Sequence, residues 1–256
     1  MNRLELVLIP VPPTGPNSVS FPDQKRSESM LTKHIGRMRK STTAYAVALT
    51  GGLLLAPAAA SAHPHIFVEA RLEVLAGPDG NVQELRNVWR FDEVFSSSVL
   101  MDFDKNTNLK LDPDELKEVG KTVRESLADY DYYANLTLNG KVIKIDKPDV
   151  INVDFRDGQL LMFFAVKPAE PMPLTKGNKL SFGIYDPTLY TSIDFPSDNE
   201  LVTEGDAFKS CTHKVVRPNP DEVIAENRST LTDAFFNDPT GTTMSKLFAT
   251  RIDVQC

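Results

Sequence analysis

The chain is expected to fold as an α+β protein: a mostly antiparallel sheet with an inserted EF-hand-like helix-loop-helix and a C-terminal helix. Three observations predict it. Apolar and polar residues alternate over several short runs, the period of a half-buried strand. Asn139-Gly140 and Asp157-Gly158 join such runs, and both dipeptides tolerate the positive φ of tight hairpin turns. One stretch, at about 93–130, breaks the alternation with calcium-loop spacing between two helical patterns.

The first 62 residues read as an N-terminal extension and a cleaved signal peptide. Arg37, Arg39 and Lys40 form a positive region, Ala44 to Ala59 an apolar stretch, and Ala60-Ser61-Ala62 a small-residue cleavage site. The apolar run holds Gly51-Gly52 and Pro57 and falls short of the roughly 20 residues of a spanning helix. The segment Met1 to Ser29 lies upstream of a complete signal, so Met30 or Met38 is expected to be the start. Residues 63–256 are then a single periplasmic domain that does not itself span a membrane.

The elements follow in order. Ile66, Val68, Ala70, Leu72 and Val74 alternate with Glu69, Arg71 and Glu73 in a first strand; Gly77-Pro78-Asp79-Gly80 turns it into a second, Val82 to Phe91, which holds the only tryptophan, Trp89. Ala134 to Leu138 pairs through Asn139-Gly140 with Lys141 to Ile145, and Ile151 to Phe155 through Asp157-Gly158 with Leu160 to Val166. Further strands are expected at Lys179 to Tyr185, Thr191 to Phe195 and Cys211 to Val216. A helix is expected over Asp221 to Phe236, after Pro218 and Pro220, with Val223, Ile224, Leu231, Ala234 and Phe235 apolar.

Of 28 Lys+Arg and 35 Asp+Glu, seven and three lie in residues 1–62, leaving 21 against 32 and a net charge of −11 after cleavage. Such a surface excludes nucleic acid as a partner, which needs clustered positive charge, and favours the approach of cations. Cys211 and Cys256, the only cysteines, read as a disulfide of an exported protein. Closing that loop restricts the unfolded chain by roughly 4 kcal/mol in the entropy model. A thiolate metal site is the alternative, without a Cys-x-x-Cys to support it.

Two motifs carry chemistry. Cleavage after Ala62 places His63 at a free amino terminus, where its α-amine and imidazole together with His65 offer nitrogen ligands to nickel, cobalt, zinc or copper. Pro64 has no amide N–H to give up, so further ligands must come from elsewhere in the fold; His213 is the remaining candidate after cleavage. The second motif is Asp104 to Glu115. Read as a twelve-residue calcium loop, it places Asp104, Asn106, Asn108 and Asp112 at positions 1, 3, 5 and 9, the Lys110 carbonyl at 7 and Glu115 at 12. Leu109 stands where the loop normally has glycine, and a β-carbon there opposes the sharp turn. Val94 to Phe103 and Asp114 to Tyr130 are the expected flanking helices. An ion-free Asx-rich turn is the alternative.

No serine elbow, catalytic Cys/His pair, phosphate loop or His-Glu-x-x-His is present, so no enzyme is expected. Asp186-Pro187-Thr188-Leu189-Tyr190 reads as an ordinary Asp-Pro turn.

The combination of Ala62-His63-Pro64-His65-Ile66-Phe67-Val68, Trp89-Arg90-Phe91-Asp92, Asp112-Pro113-Asp114-Glu115-Leu116 and Tyr185-Asp186-Pro187-Thr188-Leu189-Tyr190 resembles a bacterial family of unknown function, over nearly all of residues 62 to 256. That family is labelled a periplasmic component of an uncharacterised ABC-type transport system. The resemblance implies a partner, a membrane metal permease of nickel/cobalt type. The chain is short for a two-lobed solute-binding protein, and an accessory metal carrier or sensor fits its size better. Two further readings stand beside it: a calcium-stabilised interaction module without transition metal, and a copper enzyme with an N-terminal histidine brace completed by His213.

Overall fold

A computed structural model describes residues 65–232, 235 and 244–256. The expected extension, signal peptide and His63 lie outside the described residues.

The α+β class holds, with two sheets where one was expected. Strands β1 (Ile66–Ala76) and β2 (Val82–Phe91) form the expected hairpin, followed by helices α1 (Glu93–Phe103) and α2 (Pro113–Ser126). Then come β3 (Ala134–Leu138), β4 (Lys141–Ile143), β5 (Ile145–Asp146), β6 (Asn152–Arg156), β7 (Gln159–Pro168), β8 (Lys179–Ile184), β9 (Thr191–Asp194), β10 (Leu201–Glu204) and β11 (Thr212–Val216). Helix α3 (Pro220–Glu226) and β12 (Arg251–Gln255) complete the described elements.

The main sheet runs β10-β1-β2-β7-β5, with β9 also on β1 and β6 also on β7. Its middle is antiparallel, but β9 and β10 both return to β1 in parallel, at Ile66 to Glu69 and at Leu72 to Leu75. The second sheet runs β11-β12-β8-β3-β4, all antiparallel. The Asn-Gly and Asp-Gly turns close as the sequence predicts: Leu138 pairs with Lys141 and Arg156 with Gln159, and Asn139, Gly140, Asp157 and Gly158 all have positive φ.

Alternation sets the core. Val68, Ala70, Leu72 and Val74 of β1 are buried on one face, and the register lays them in rows across the sheet, such as Ala70, Trp89 and Met162. Leu136, Phe182 and Ile252 form the matching row of the second sheet, and both sets belong to one hydrophobic cluster. Trp89 lies at its centre, edge-on to Phe164 at 4.9 Å and stacked on Tyr133 at 6.0 Å.

The helical excursion is fastened at both ends. Buried Ser96 of α1 donates to the Asp92 carbonyl (2.6 Å) and accepts from the Leu160 N–H of β7 (2.9 Å). Helix α2 lies on β6, with Gly120 so close to it that a β-carbon there would stand 2.2 Å from the Ile151 carbonyl oxygen.

Two expectations are corrected. The helix foreseen over Asp221 to Phe236 ends at Glu226, because Asn227 turns its own amide onto the Val223 carbonyl (2.8 Å) and its backbone leaves helical geometry. β10 and β12 were not foreseen; each offers only two inward apolar positions or fewer and no turn signal of its own.

Candidate functional site

Residues 65–67 open β1 in the interior of the main sheet and are held from both sides. On one side, the Tyr190 carbonyl accepts from the N–H groups of His65 (2.8 Å) and Ile66 (3.2 Å). The Tyr190 ring lies 4.8 Å from the His65 ring. On the other side, the Phe67 N–H donates to Asp92 Oδ2, and the Asp92 N–H donates back to the Phe67 carbonyl, both at 2.9 Å. Asp92 Oδ1 accepts from the N–H groups of Val94 and Phe95, capping α1. A single carboxylate thus fixes the start of a strand and the start of a helix.

Tyr190 is itself held by a buried carboxylate. Asp186 is 2% exposed. Its Oδ1 accepts from the Thr188 N–H and hydroxyl, both at 2.7 Å, and its Oδ2 from the Thr191 N–H at 2.9 Å. The Tyr133 phenol lies beside both Asp186 and Thr191. Burial first, and then the charge of Asp186, push the Tyr133 phenol well above its ordinary value of 10.0, which keeps it protonated.

Tyr133 arrives there through unusual backbone. Asp131, Tyr132 and Tyr133 have φ of 48°, 53° and 59°, three consecutive side-chain-bearing residues in the left-handed region, each costing on the order of 1 kcal/mol. The turn is held by the Tyr132 hydroxyl, which donates to the Arg124 carbonyl (2.9 Å), and by the Tyr185 N–H, which donates to the Tyr133 carbonyl (2.9 Å). Leu189, beside Tyr190, is also left-handed, with φ of 57°.

Four segments far apart in the chain therefore meet at one end of the sheet: 65–68, 89–92, 131–133 and 185–191. His65 is exposed at that junction. His213 is elsewhere. It is exposed on β11 and lines a shallow groove with Leu201 to Thr203, whose partners on β1 are Leu72 to Val74. That places it on the order of 25 Å of strand from His65. Among the described residues no three His, Cys, Asp or Glu side chains are grouped to hold an ion.

The loop between α1 and α2 has the expected helix-loop-helix form. Leu109 adopts φ of 61°, the left-handed conformation that glycine usually supplies, with its side chain 80% exposed. Asp104 accepts from the N–H groups of Asn108 (3.1 Å) and Leu109 (2.7 Å), and Asn108 Oδ1 accepts from that of Lys110 (2.8 Å). Asn106 and Asn108 both turn their amides onto Asp112 Oδ2. Glu115, 7% exposed, gives one oxygen to the Lys105 N–H (2.9 Å) and the other to the Asp112 N–H (2.8 Å). The donor set has the all-oxygen chemistry that calcium takes, while in this arrangement each carboxylate also serves the loop's own backbone.

Cys211 and Cys256 are bonded, with an S–S distance of 2.05 Å, the pairing expected of a chain that folds in an oxidising compartment. No helix among the described residues is long and apolar enough to cross a membrane.

Residues 48–256 match the family described as protein of unknown function (DUF1007). The chain belongs to this family. No curated protein matches it.

In this DUF1007 protein the residues that sequence reasoning passed over are Asp186 and Tyr133. The first read as part of an ordinary turn, and the second fell between an expected helix ending at Tyr130 and an expected strand beginning at Ala134; only burial reveals what they do. Tyr190 and Asp92 sat within noted motifs, without a role until the fold set them on either side of β1.

Proposed function

We propose that the protein is a periplasmic metal-binding accessory protein that captures or delivers a divalent transition metal, nickel, cobalt or zinc, for a membrane permease, acting as a carrier rather than an enzyme. The observation that carries this reading is the clamping of residues 65–67 between Tyr190 and Asp92. A histidine terminus created two residues upstream would be presented from a fixed platform. The α-amine and imidazole of His63 and the imidazole of His65 would be the ligands, a nitrogen set suited to those ions. The acidic surface, net −11 after cleavage at residue 62 (21 Lys+Arg against 32 Asp+Glu), would draw cations to it.

The test is calorimetric titration of exported protein, its His63 terminus confirmed by mass spectrometry, against nickel, cobalt, zinc, copper and calcium. Tight binding lost in a His63→Ala, His65→Ala double variant is the expected result; equal binding by that variant refutes the proposal.

A second reading, a calcium-stabilised interaction module, is favoured by Leu109, which holds the conformation the loop needs despite its side chain. It predicts that chelation lowers the melting temperature while transition metals do nothing.

A further inference from the structure

Asp186 is a buried carboxylate whose hydrogen-bond partners are all neutral: the Thr188 N–H and hydroxyl and the Thr191 N–H. Taking a carboxylate out of water is costly unless it is hydrogen-bonded, and three donors, at 2.7, 2.7 and 2.9 Å, engage both oxygens of Asp186. What these bonds hold is specific. Thr191 begins β9, paired with Ile66; Thr188 and Thr191 bracket Leu189 and Tyr190; and Tyr190 supplies the carbonyl and the ring that meet His65. Left-handed backbone at Leu189 and at Asp131 to Tyr133 converges on the same carboxylate, and strain of this kind persists only where its surroundings over-determine it.

We infer that Asp186 is a positioning residue: through Tyr190 it fixes the orientation of His65 for metal. The inference rests on the metal-carrier reading and adds to it which residue sets the geometry. An asparagine at position 186 has nearly the same shape, but its amide nitrogen would face a backbone N–H in place of an acceptor, loosening the Tyr190 carbonyl.

Groups that orient metal ligands typically cost 10- to 100-fold in affinity when removed. Asp186→Asn should therefore weaken zinc and nickel binding by about tenfold or more. Thr188→Val, which removes one donor of three, should weaken it by a smaller factor. Loss of stability alone is controlled by Gly120→Ala, which disturbs the seat of α2 against Ile151 and leaves residues 65–67 and 186–191 untouched; it should bind metal as the wild type does. The readouts are calorimetric affinity and the visible spectrum of the cobalt-loaded protein, whose band positions report ligand geometry independently of stability. Wild-type affinity and an unchanged cobalt spectrum in Asp186→Asn overturn the inference alone. A wild-type protein that binds neither zinc nor nickel overturns the carrier reading and the inference with it.

Discussion

The acidic loop and the histidine end both hold carboxylates by backbone N–H groups, yet they are built on different scales. The carboxylates of the loop bond within residues 104–115, near the surface. Asp186 joins segments that begin at 133 and 188, and through Tyr190 reaches 65. A local cluster can take its shape with little help from the rest of the fold, and can lose a member cheaply. A junction of distant segments forms only when the fold forms, and its loss is felt throughout.

The strongest test of that contrast compares Asp186→Ala with Asp104→Ala in urea. The first leaves the Thr191 and Thr188 N–H groups and the Thr188 hydroxyl without their acceptor, and should cost about 3–5 kcal/mol. The second frees groups that water can reach, and should cost about 1 kcal/mol. Equal costs would break the comparison.

Gly120→Ala comes next and asks whether the helical excursion is itself docked. Alanine usually improves a helix by about 1 kcal/mol over glycine. Here a β-carbon would stand 2.2 Å from the Ile151 oxygen, so a net loss of about 2–3 kcal/mol is expected. A gain in the urea midpoint would show that α2 does not sit on that segment.

Leu109→Gly sharpens the loop's side. Relief of the left-handed leucine, partly offset by a more flexible unfolded chain, should stabilise by about 0.5–1 kcal/mol. If calcium binds, titration of the variant should also show tighter binding than wild type. A lower melting temperature, with or without calcium, would mean that the leucine makes a contact of its own.

The smallest effect concerns alkaline pH. The phenol of Tyr133 is raised in the folded state above its ordinary 10.0 by burial and by Asp186. The unfolded chain then gives up this proton first, so the associated stability is complete below about pH 10 and is lost as pH climbs past it. Tyr133→Phe should flatten this part of the stability profile in urea melts from pH 9 to 11. An unaltered slope would place the phenol in water.

The same difference of scale governs what could be read in the sequence. The loop was legible because its donors recur at fixed spacing within twelve residues, and the hairpins because Asn139-Gly140 and Asp157-Gly158 act locally. The parallel return of β9 and β10 to β1 was not legible, since nothing near Thr191 or Leu201 names a partner more than a hundred residues earlier. Asp186 looked like any Asp-Pro turn because its meaning lies in burial. Leu109 shows the reverse case: a residue that argued against the loop's turn takes the required conformation at an exposed position, where its side chain meets no obstacle.

The position of β12 bears on the order in which the chain can close its two sheets. Residues 251–255 lie between β8 and β11 in the second sheet, and β1, which opens the described chain, waits for β9 and β10 to cover its edge. The main sheet needs the chain only as far as Glu204, whereas the second sheet stays open between β8 and β11 until residues 251–255 are in place. Closing the second sheet brings Cys256 beside Cys211 at the paired ends of β12 and β11, so the disulfide fastens the last of the described strands to enter a sheet.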